Sequence, residues 1–242
     1  MAIFVLVHGG GLGGWCYQPL AKLLGAHRHV VYRPSLSGLG ERWHLFNRGI
    51  DLDCHIRDVA ELMCFEELRD VILVGHGYGG MVITGAADRV PERVAHLVFL
   101  DAATPNHGQS LTEVAAAATA AIRRDAMVVA GVELCLIPND SIAANHGLTD
   151  TVTMGWMAPK LTAHPWRCFE QPLMLENQAA LERIPRSHIR SQHSRHPPDS
   201  LLAGSRECVW HVDAGHDLML TAPFFVAERL HEIASHSRPG RC

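Results

Sequence analysis

The segment Val71-Ile72-Leu73-Val74-Gly75-His76-Gly77-Tyr78-Gly79-Gly80 constrains this chain more than any other. Four branched apolar residues run straight into a glycine-rich turn, and the stretch Met81 to Ala87, containing alanine and valine, follows, so the pattern reads as buried strand, sharp turn, helix. In turns of the G-x-S-x-G type the flanking glycines let strand and helix approach closely, and the central side chain is lifted above the sheet edge to act as a nucleophile. Here the central residue is Gly77. A glycine has no side-chain atom with which to attack a carbonyl.

Length and charge narrow the options. With 242 residues, 48% of them apolar, the chain has enough material for one large α/β domain carrying an insertion. A net charge of -4 offers no basic face, which argues against nucleic acid and for a small ligand. The seven cysteines (16, 54, 64, 135, 168, 208 and 242) are odd in number and scattered, with no C-x-x-C pair. No signal peptide is read ahead of the first strand, so the expectation is a cytoplasmic protein with reduced thiols. No apolar run approaches the roughly 20 residues that a bilayer span needs, so no membrane association is expected.

In chain order, Ile3 to Val7 is apolar on both faces, as a strand inside a parallel sheet should be. It delivers the loop His8-Gly9-Gly10-Gly11-Leu12-Gly13-Gly14-Trp15, whose bare peptide N–H groups suit an oxyanion hole. A helix is expected from Trp15 to Leu24, a strand from His29 to Tyr32, a glycine-punctuated loop from Ser35 to Arg42, and a helix over Leu52 to Leu68 with Ile56, Val59, Ala60, Met63 and Cys64 on one face. Val94 to Leu100 is another buried strand ending in Asp101, where open α/β sheets place their ligands. Residues 106–180 no longer alternate strand with helix. Their alanine-rich helix from Leu111 to Arg124, the prolines 138, 159, 165 and 172 and the aromatics Trp156, Trp166 and Phe169 are read as a helical cap over the site. The sheet resumes with Ser187 to Ser191 and Glu207 to Val212, and Pro223 to Ser235 forms a closing helix. The expected architecture is thus an α/β core of 1–105 and 181–242 with a cap of 106–180.

Four motifs in this order, His8-Gly9-(x)3-Gly13-Gly14-Trp15, Leu36-x-Gly38-Leu39-Gly40-Glu41-Arg42, Gly75-His76-Gly77-Tyr78-Gly79-Gly80-Met81-Val82 and Gly215-His216-Asp217, resemble the α/β-hydrolase superfamily. The nearest likeness is to its branch of hydroxynitrile lyases, plant methylesterases and bacterial esterase-like relatives. The resemblance covers most of the chain and is weakest in 106–180. It implies the α/β-hydrolase fold, a mostly parallel sheet flanked by helices. It also implies oxyanion donors at the backbone N–H of Gly10 and Tyr78, and a catalytic imidazole at His216.

Two departures limit what the resemblance carries over. The family's serine falls at Gly77. The acid that orients the histidine sits, in this branch, after the strand read as Ser187 to Ser191, where alignment puts Ser194; no carboxylate follows until Asp199. Asp101 is an alternative acid, with a turn-capping aspartate as the plainer reading. Losing the acid in the worked serine-protease triad costs roughly 10⁴ in turnover, and losing the serine of a comparable triad roughly 2 × 10⁶. Efficient acyl-enzyme hydrolysis is therefore not expected of native Gly77. A positioned imidazole with two N–H donors still suits elimination, epimerisation, aldol-type cyclisation or decarboxylation of a small carbonyl substrate. The expected function is such a lyase, isomerase or cyclase, with His216 as base and no cofactor. The alternatives are a carboxylesterase met as a serine-to-glycine variant at position 77, and an inactive small-molecule binder.

Remaining residues receive plainer readings. Gly11, His76, Trp156 and Trp166 are expected to border the substrate pocket, with His8 and His76 hydrogen-bonding backbone rather than moving protons. His188, His193 and His196 with Arg190 and Arg195 are read as a solvated cationic loop. Glu41-Arg42 is read as an internal ion pair or loop anchor. No H-x-x-x-H or H-E-x-x-H helix is present, so no metal is expected. Gly9-x-Gly11-x-x-Gly14 formally matches a dinucleotide fingerprint, but Tyr32-Arg33-Pro34 stands where an acid should end the next strand. Oligomeric state is left open, a homodimer being compatible.

Overall fold

A computed structural model describes residues 1–136, 148, 150–194 and 208–236. Six strands form one sheet: β1 (Ile3–Val7), β2 (Val30–Tyr32), β3 (Val71–His76), β4 (Val94–Leu100), β8 (Arg186–Ser191) and β9 (Cys208–Val212), in the order β2-β1-β3-β4-β8-β9. Every neighbouring pair is parallel. Parallel sheets need both faces covered, which is why β1 is apolar throughout and β3 is apolar from Val71 to Val74. Alternate residues feed two cores. Val5, Val7, Leu73, Leu97 and Phe99 pack under α2 (Leu52–Phe65) and α3 (Gly79–Arg89). Phe4, Leu6, Ile72, Val74, Val98 and Leu100 pack under α1 (Gln18–Ala26) and the helix Pro223–His236. Fully burying one such side chain stabilises by roughly 1.5 to 3 kcal/mol.

The strand order reverses direction between β1 and β3, so the loops leaving their carboxyl ends splay apart and open a crevice. The loop after β1 is the glycine run, and the loop after β3 is the Gly77 turn. Both loops therefore arise at this crevice.

Most expected elements lie within two residues of their expected bounds, and two readings need correction. Residues 106–180 are not simply helical: β5 (Met127–Val129), β6 (Val132–Cys135) and β7 (His164–Pro165) make a separate three-stranded antiparallel sheet. The turn between β5 and β6 places Ala130 and Gly131 at φ +51° and +77°, both in the left-handed region, as two-residue hairpins require. The alanine-rich helix is broken at Ala115 into Leu111–Val114 and Ala116–Arg123. Pro138, Arg195, His196 and Asp199 lie outside the described residues. Among the described residues no helix is long and apolar enough to cross a membrane.

Candidate active site

Strand β3 delivers the turn under tight packing. A Cβ on Gly79 would sit 2.6 Å from the Val7 carbonyl oxygen and one on Gly80 1.9 Å from that of Ala103, so neither position admits a side chain. Gly77 differs. It holds the left-handed φ of +53°, yet a Cβ there would meet nothing nearer than His216 Nε2 at 3.4 Å and Gly9 Cα at 3.8 Å. The turn keeps a left-handed shape that glycine adopts freely, and a side chain there would meet only ordinary contacts. Its carbonyl accepts from the N–H of Gly80 (3.2 Å) and of Ala103 (3.0 Å), which ties it to the chain leaving β4.

Asp101 begins that exit. It is 1% exposed and holds φ +42°, a conformation that costs a non-glycine residue of order 1 to 3 kcal/mol and is retained where the surroundings impose it. Its N–H donates to Ile189 O (2.8 Å), Oδ1 accepts from the Ser191 N–H (3.3 Å), and Oδ2 lies 2.7 Å from His216 Nδ1. A carboxylate against Nδ1 holds the proton there, so Nε2 is the basic atom, and Nε2 faces the space over Gly77. Ser194, which aligns with the usual acid position of this branch, brings no carboxylate to the imidazole. The Ser194 N–H donates to Ser191 O (3.1 Å), while the acid against the imidazole comes from the end of β4. Only the nucleophile of the three-residue set is missing.

The ring is held from behind by a second pair. His76 packs against His216 with ring centroids 4.4 Å apart and planes tilted by 44°, its Nε2 donating to His216 O (3.2 Å) and lying 3.4 Å from Asp217 Oδ1. His76 and Asp217 are buried, whereas the His216 side chain is 31% exposed. Asp217 sits inside the Gly-His-Asp motif, yet its place in the sequence does not show that it meets His76, 141 residues earlier.

Tyr78 follows Gly77 and is the N-cap of α3, where the helix dipole adds positive potential to its N–H. Gly10 lies across the crevice. Neither N–H has a backbone hydrogen-bond partner among the described residues. The loop bearing Gly10 is fixed at both ends. His8 Nε2 accepts from the Leu36 N–H (3.0 Å) and Nδ1 donates to Gly9 O (2.8 Å), and burial lowers its pKa to about 4. Gly11 donates to His164 Nδ1 (3.3 Å) and accepts from the Thr162 N–H (3.0 Å), so it anchors the loop to the 106–180 insertion. Leu136 and Phe169 of that insertion sit directly against Gly10.

The two tryptophans are not brought together. Trp166 is buried on the α2 and α3 side of the sheet against Phe169 and under Arg123; Trp156 packs against Trp15 on the α1 side. Glu41 and Arg42 do not pair with each other: Glu41 accepts from Ser35 Oγ (2.7 Å), and Arg42 donates to Ser35 O (3.0 Å) and Ser37 Oγ (3.0 Å). His193 meets Asp213 at 2.8 Å on the surface.

Two groups of side chains reach metal-ligand spacing that no sequence spacing betrays: His55, His164 and Cys168, and His76, His216 and Asp217. The first is a hydrogen-bonded network, with His55 Nε2 donating to Ser37 O (3.0 Å) and Nδ1 accepting from Tyr78 OH (2.9 Å). The Gly11 N–H on His164 Nδ1 leaves the proton of that neutral ring on Nε2, which then has no lone pair for a cation.

Residues 4–229 match the model of the Alpha/beta hydrolase family. A carbendazim hydrolyzing esterase of Nocardioides sp. (strain SG-4G) is 54% identical over 111 residues, 46% of each chain. Norfluorocurarine synthase 2 of Strychnos nux-vomica is 36% identical over 104 residues, 43% of this chain and 39% of that one. Polyneuridine aldehyde esterase of Rauvolfia serpentina is 35% identical over 114 residues, 45% and 42% of the two chains. The matched stretches thus span less than half of these relatives. Among solved structures, tomato methylketone synthase I complexed with 2-tridecanone superposes with a TM-score of 0.79 at 19% identity, over 98% of this chain and 99% of that one. An extracellular α/β-hydrolase from a Paenibacillus species gives 0.78 at 21%, over 96% and 98%.

Proposed function

Because the chain belongs to the alpha/beta hydrolase family, we propose that it uses that fold for proton transfer at carbon rather than for acyl-enzyme hydrolysis. The substrate is a small carbonyl compound with an acidic C–H beside the carbonyl. His216 Nε2 takes that proton, Asp101 stabilises the imidazolium that forms, and the N–H groups of Gly10 and Tyr78 hold the enolate oxygen. Elimination, epimerisation, cyclisation or decarboxylation then depends on which bond the enolate forms or breaks. One observation carries the reading: a carboxylate-oriented imidazole, 2.7 Å from its acid, aims its basic nitrogen at a turn that offers no nucleophile. Relatives include esterases and a synthase, so a switch of chemistry on this framework is consistent with the company it keeps.

A positioned general base contributes roughly 10² to 10⁴ in rate. Deuterium uptake from D₂O at the α-carbon of a β-keto ester or β-keto acid, followed by NMR, is the test. The expectation is exchange well above solution background that His216→Ala reduces by that factor. Exchange equal in the wild type and His216→Ala would overturn the reading and leave a binding protein.

A second reading is favoured by the acid itself: with Asp101 in place, a single residue separates the site from a serine esterase. On that reading the chain is an esterase lacking its serine at position 77, and Gly77→Ser restores ester hydrolysis with a pre-steady-state burst. Absence of a burst in a folded Gly77→Ser protein counts against it.

A further inference from the structure

The 106–180 insertion carries an imidazole that takes no part in the proton transfer itself. His164 is fully buried, and its ring meets both loops from which the oxyanion donors come. On one side Nδ1 accepts from the Gly11 N–H (3.3 Å), while the nearby Thr162 N–H donates to Gly11 O (3.0 Å), so the residue after Gly10 is clamped through both of its backbone polar groups. On the other side the ring lies edge-on to Tyr78, with centroids 4.9 Å apart, and the Tyr78 hydroxyl is held in turn by His55 Nδ1 (2.9 Å). Phe169, which sits against Gly10, packs on the same imidazole with centroids 4.7 Å apart. We infer that His164 is a positioning residue: it sets the gap between the Gly10 and Tyr78 N–H groups by bonding to one loop and packing against the other. The inference rests on the reading of those two groups as the oxyanion donors.

The choice of side chain supports this role. A phenyl ring between Tyr78 and Phe169 would fill the same surroundings with no polar atom to desolvate. An imidazole there stays uncharged, because burial lowers the pKa of His164 well below its ordinary 6.5 and the imidazoles of His55 and His8 oppose a charge beside them. Its Nε2 is buried and has no hydrogen-bond partner among the described residues, an arrangement that costs stability. What imidazole has and phenyl lacks is the Nδ1 lone pair, and that lone pair meets the Gly11 N–H. The glycines of this loop have no side chains to hold it, and Gly11 itself stands at φ +71°, so bonds to its backbone decide where it lies. Removing an oxyanion donor outright costs roughly 10² to 10³ in turnover, and a misplacement of about 1 Å can cost about 10², so loosening one donor is expected to cost at least about tenfold. The donors act on charge that develops in the transition state, so the loss falls on kcat rather than on KM.

The experiment compares the wild type, His164→Phe and His164→Asn in two measurements. Asparagine hangs Oδ1 on Cγ where histidine has Nδ1, so it keeps an acceptor for Gly11 and drops the ring; phenylalanine keeps the ring and drops the acceptor. His164→Gln, whose amide reaches the Nε2 position instead, is expected to behave as His164→Phe does and takes its place if that variant does not fold. Deuterium uptake at the α-carbon of ethyl acetoacetate gives kcat and KM, normalised to the folded fraction from thermal unfolding. Amide hydrogen exchange at Gly11, followed by NMR without substrate, reports the clamp itself. The expected result is a kcat at least about tenfold lower in His164→Phe with KM within about threefold, recovery of most of that loss in His164→Asn, and a Gly11 amide that exchanges at least about tenfold faster in His164→Phe alone. A residue that only fills the core would lower the melting temperature of both variants and leave kcat per folded molecule unchanged, and that outcome overturns the proposal. Equal Gly11 exchange in the wild type and His164→Phe overturns it whatever the activity. If the wild type shows no His216-dependent uptake while its Gly11 amide loses protection in His164→Phe, the enolate reading falls and the clamp stands.

Discussion

Two histidine–carboxylate pairs lie side by side in this molecule and do different work. His216 with Asp101 sits at the crevice, its imidazole 31% exposed; His76 with Asp217 sits immediately behind, sealed from solvent. The chemistry of the side chains is the same. What separates them is where Nε2 points: at the space over Gly77 in the first pair, and, as a donor, at the His216 carbonyl in the second. An imidazole becomes a candidate base through its access, and its neighbour becomes a brace through lack of it.

The sharpest way to break this comparison is to remove the acid of the outer pair. Asp101→Asn disturbs the tautomer of His216 and is expected to lower α-proton exchange by up to roughly 10⁴, as in the worked protease triad, while thermal stability changes far less than activity. A stability loss that accounts for the activity loss would make Asp101 a structural residue. The inner pair should answer the opposite way. Asp217→Asn or His76→Gln breaks a buried polar pair, a change that typically costs about 3 to 5 kcal/mol, read as a lower urea midpoint. The protein that remains folded should retain most of its exchange rate; loss of activity at full stability would give the pair a catalytic part.

A third buried imidazole extends the comparison to pH. His8 is neutral in the fold because desolvation lowers its pKa from 6.5 to about 4, and Nε2 needs its lone pair for the Leu36 N–H. The unfolded chain therefore binds the extra proton first, between about pH 6.5 and 4, so stability is complete above 6.5 and falls as the pH drops toward 4. The shift corresponds to about 3 kcal/mol. Burial likewise lowers His96 and His188 to about 4, and they share the slope. Urea titrations across that window should show the decline, shallower in His8→Gln; stability unchanged down to pH 4 would refute it. The smallest effect belongs to Gly77→Ser, in which a non-glycine residue must take φ +53°. The cost expected is about 1 to 2 kcal/mol, measured by denaturant melts, with no shift in the exposed state of His216.

How much of this was legible from residue order varies with the range of the interaction. The strands β1, β3 and β4 were readable because parallel core strands are apolar on both faces, and the Gly77 turn because its glycines are forced by contacts as short as 1.9 Å. The sheet within 106–180 was not. Its strands β5 and β7 have three and two residues, Met127, Val128 and Val129 are exposed, and Gly131 alone hinted at a hairpin. The orienting acid was offered as one alternative of two. Telling an orienting Asp101 from a turn-capping one requires knowing that the end of β4 meets the loop after β9, 115 residues later in the chain. The placement of Trp166 and Trp156 on opposite faces of the sheet was not legible either, because apolar residues in an insertion look alike until packing assigns each to one face.

The residue order by itself determined a doubly covered parallel sheet, a turn shaped for a nucleophile and the absence of that nucleophile, because each follows from local sterics, apolar period and the identity of one residue. Only the tertiary structure decided which carboxylate holds His216, which histidine braces it and how much room stands over Gly77. Those depend on distances of a few ångströms between segments far apart in the chain, and such distances are set by strand order and packing rather than by neighbours in sequence.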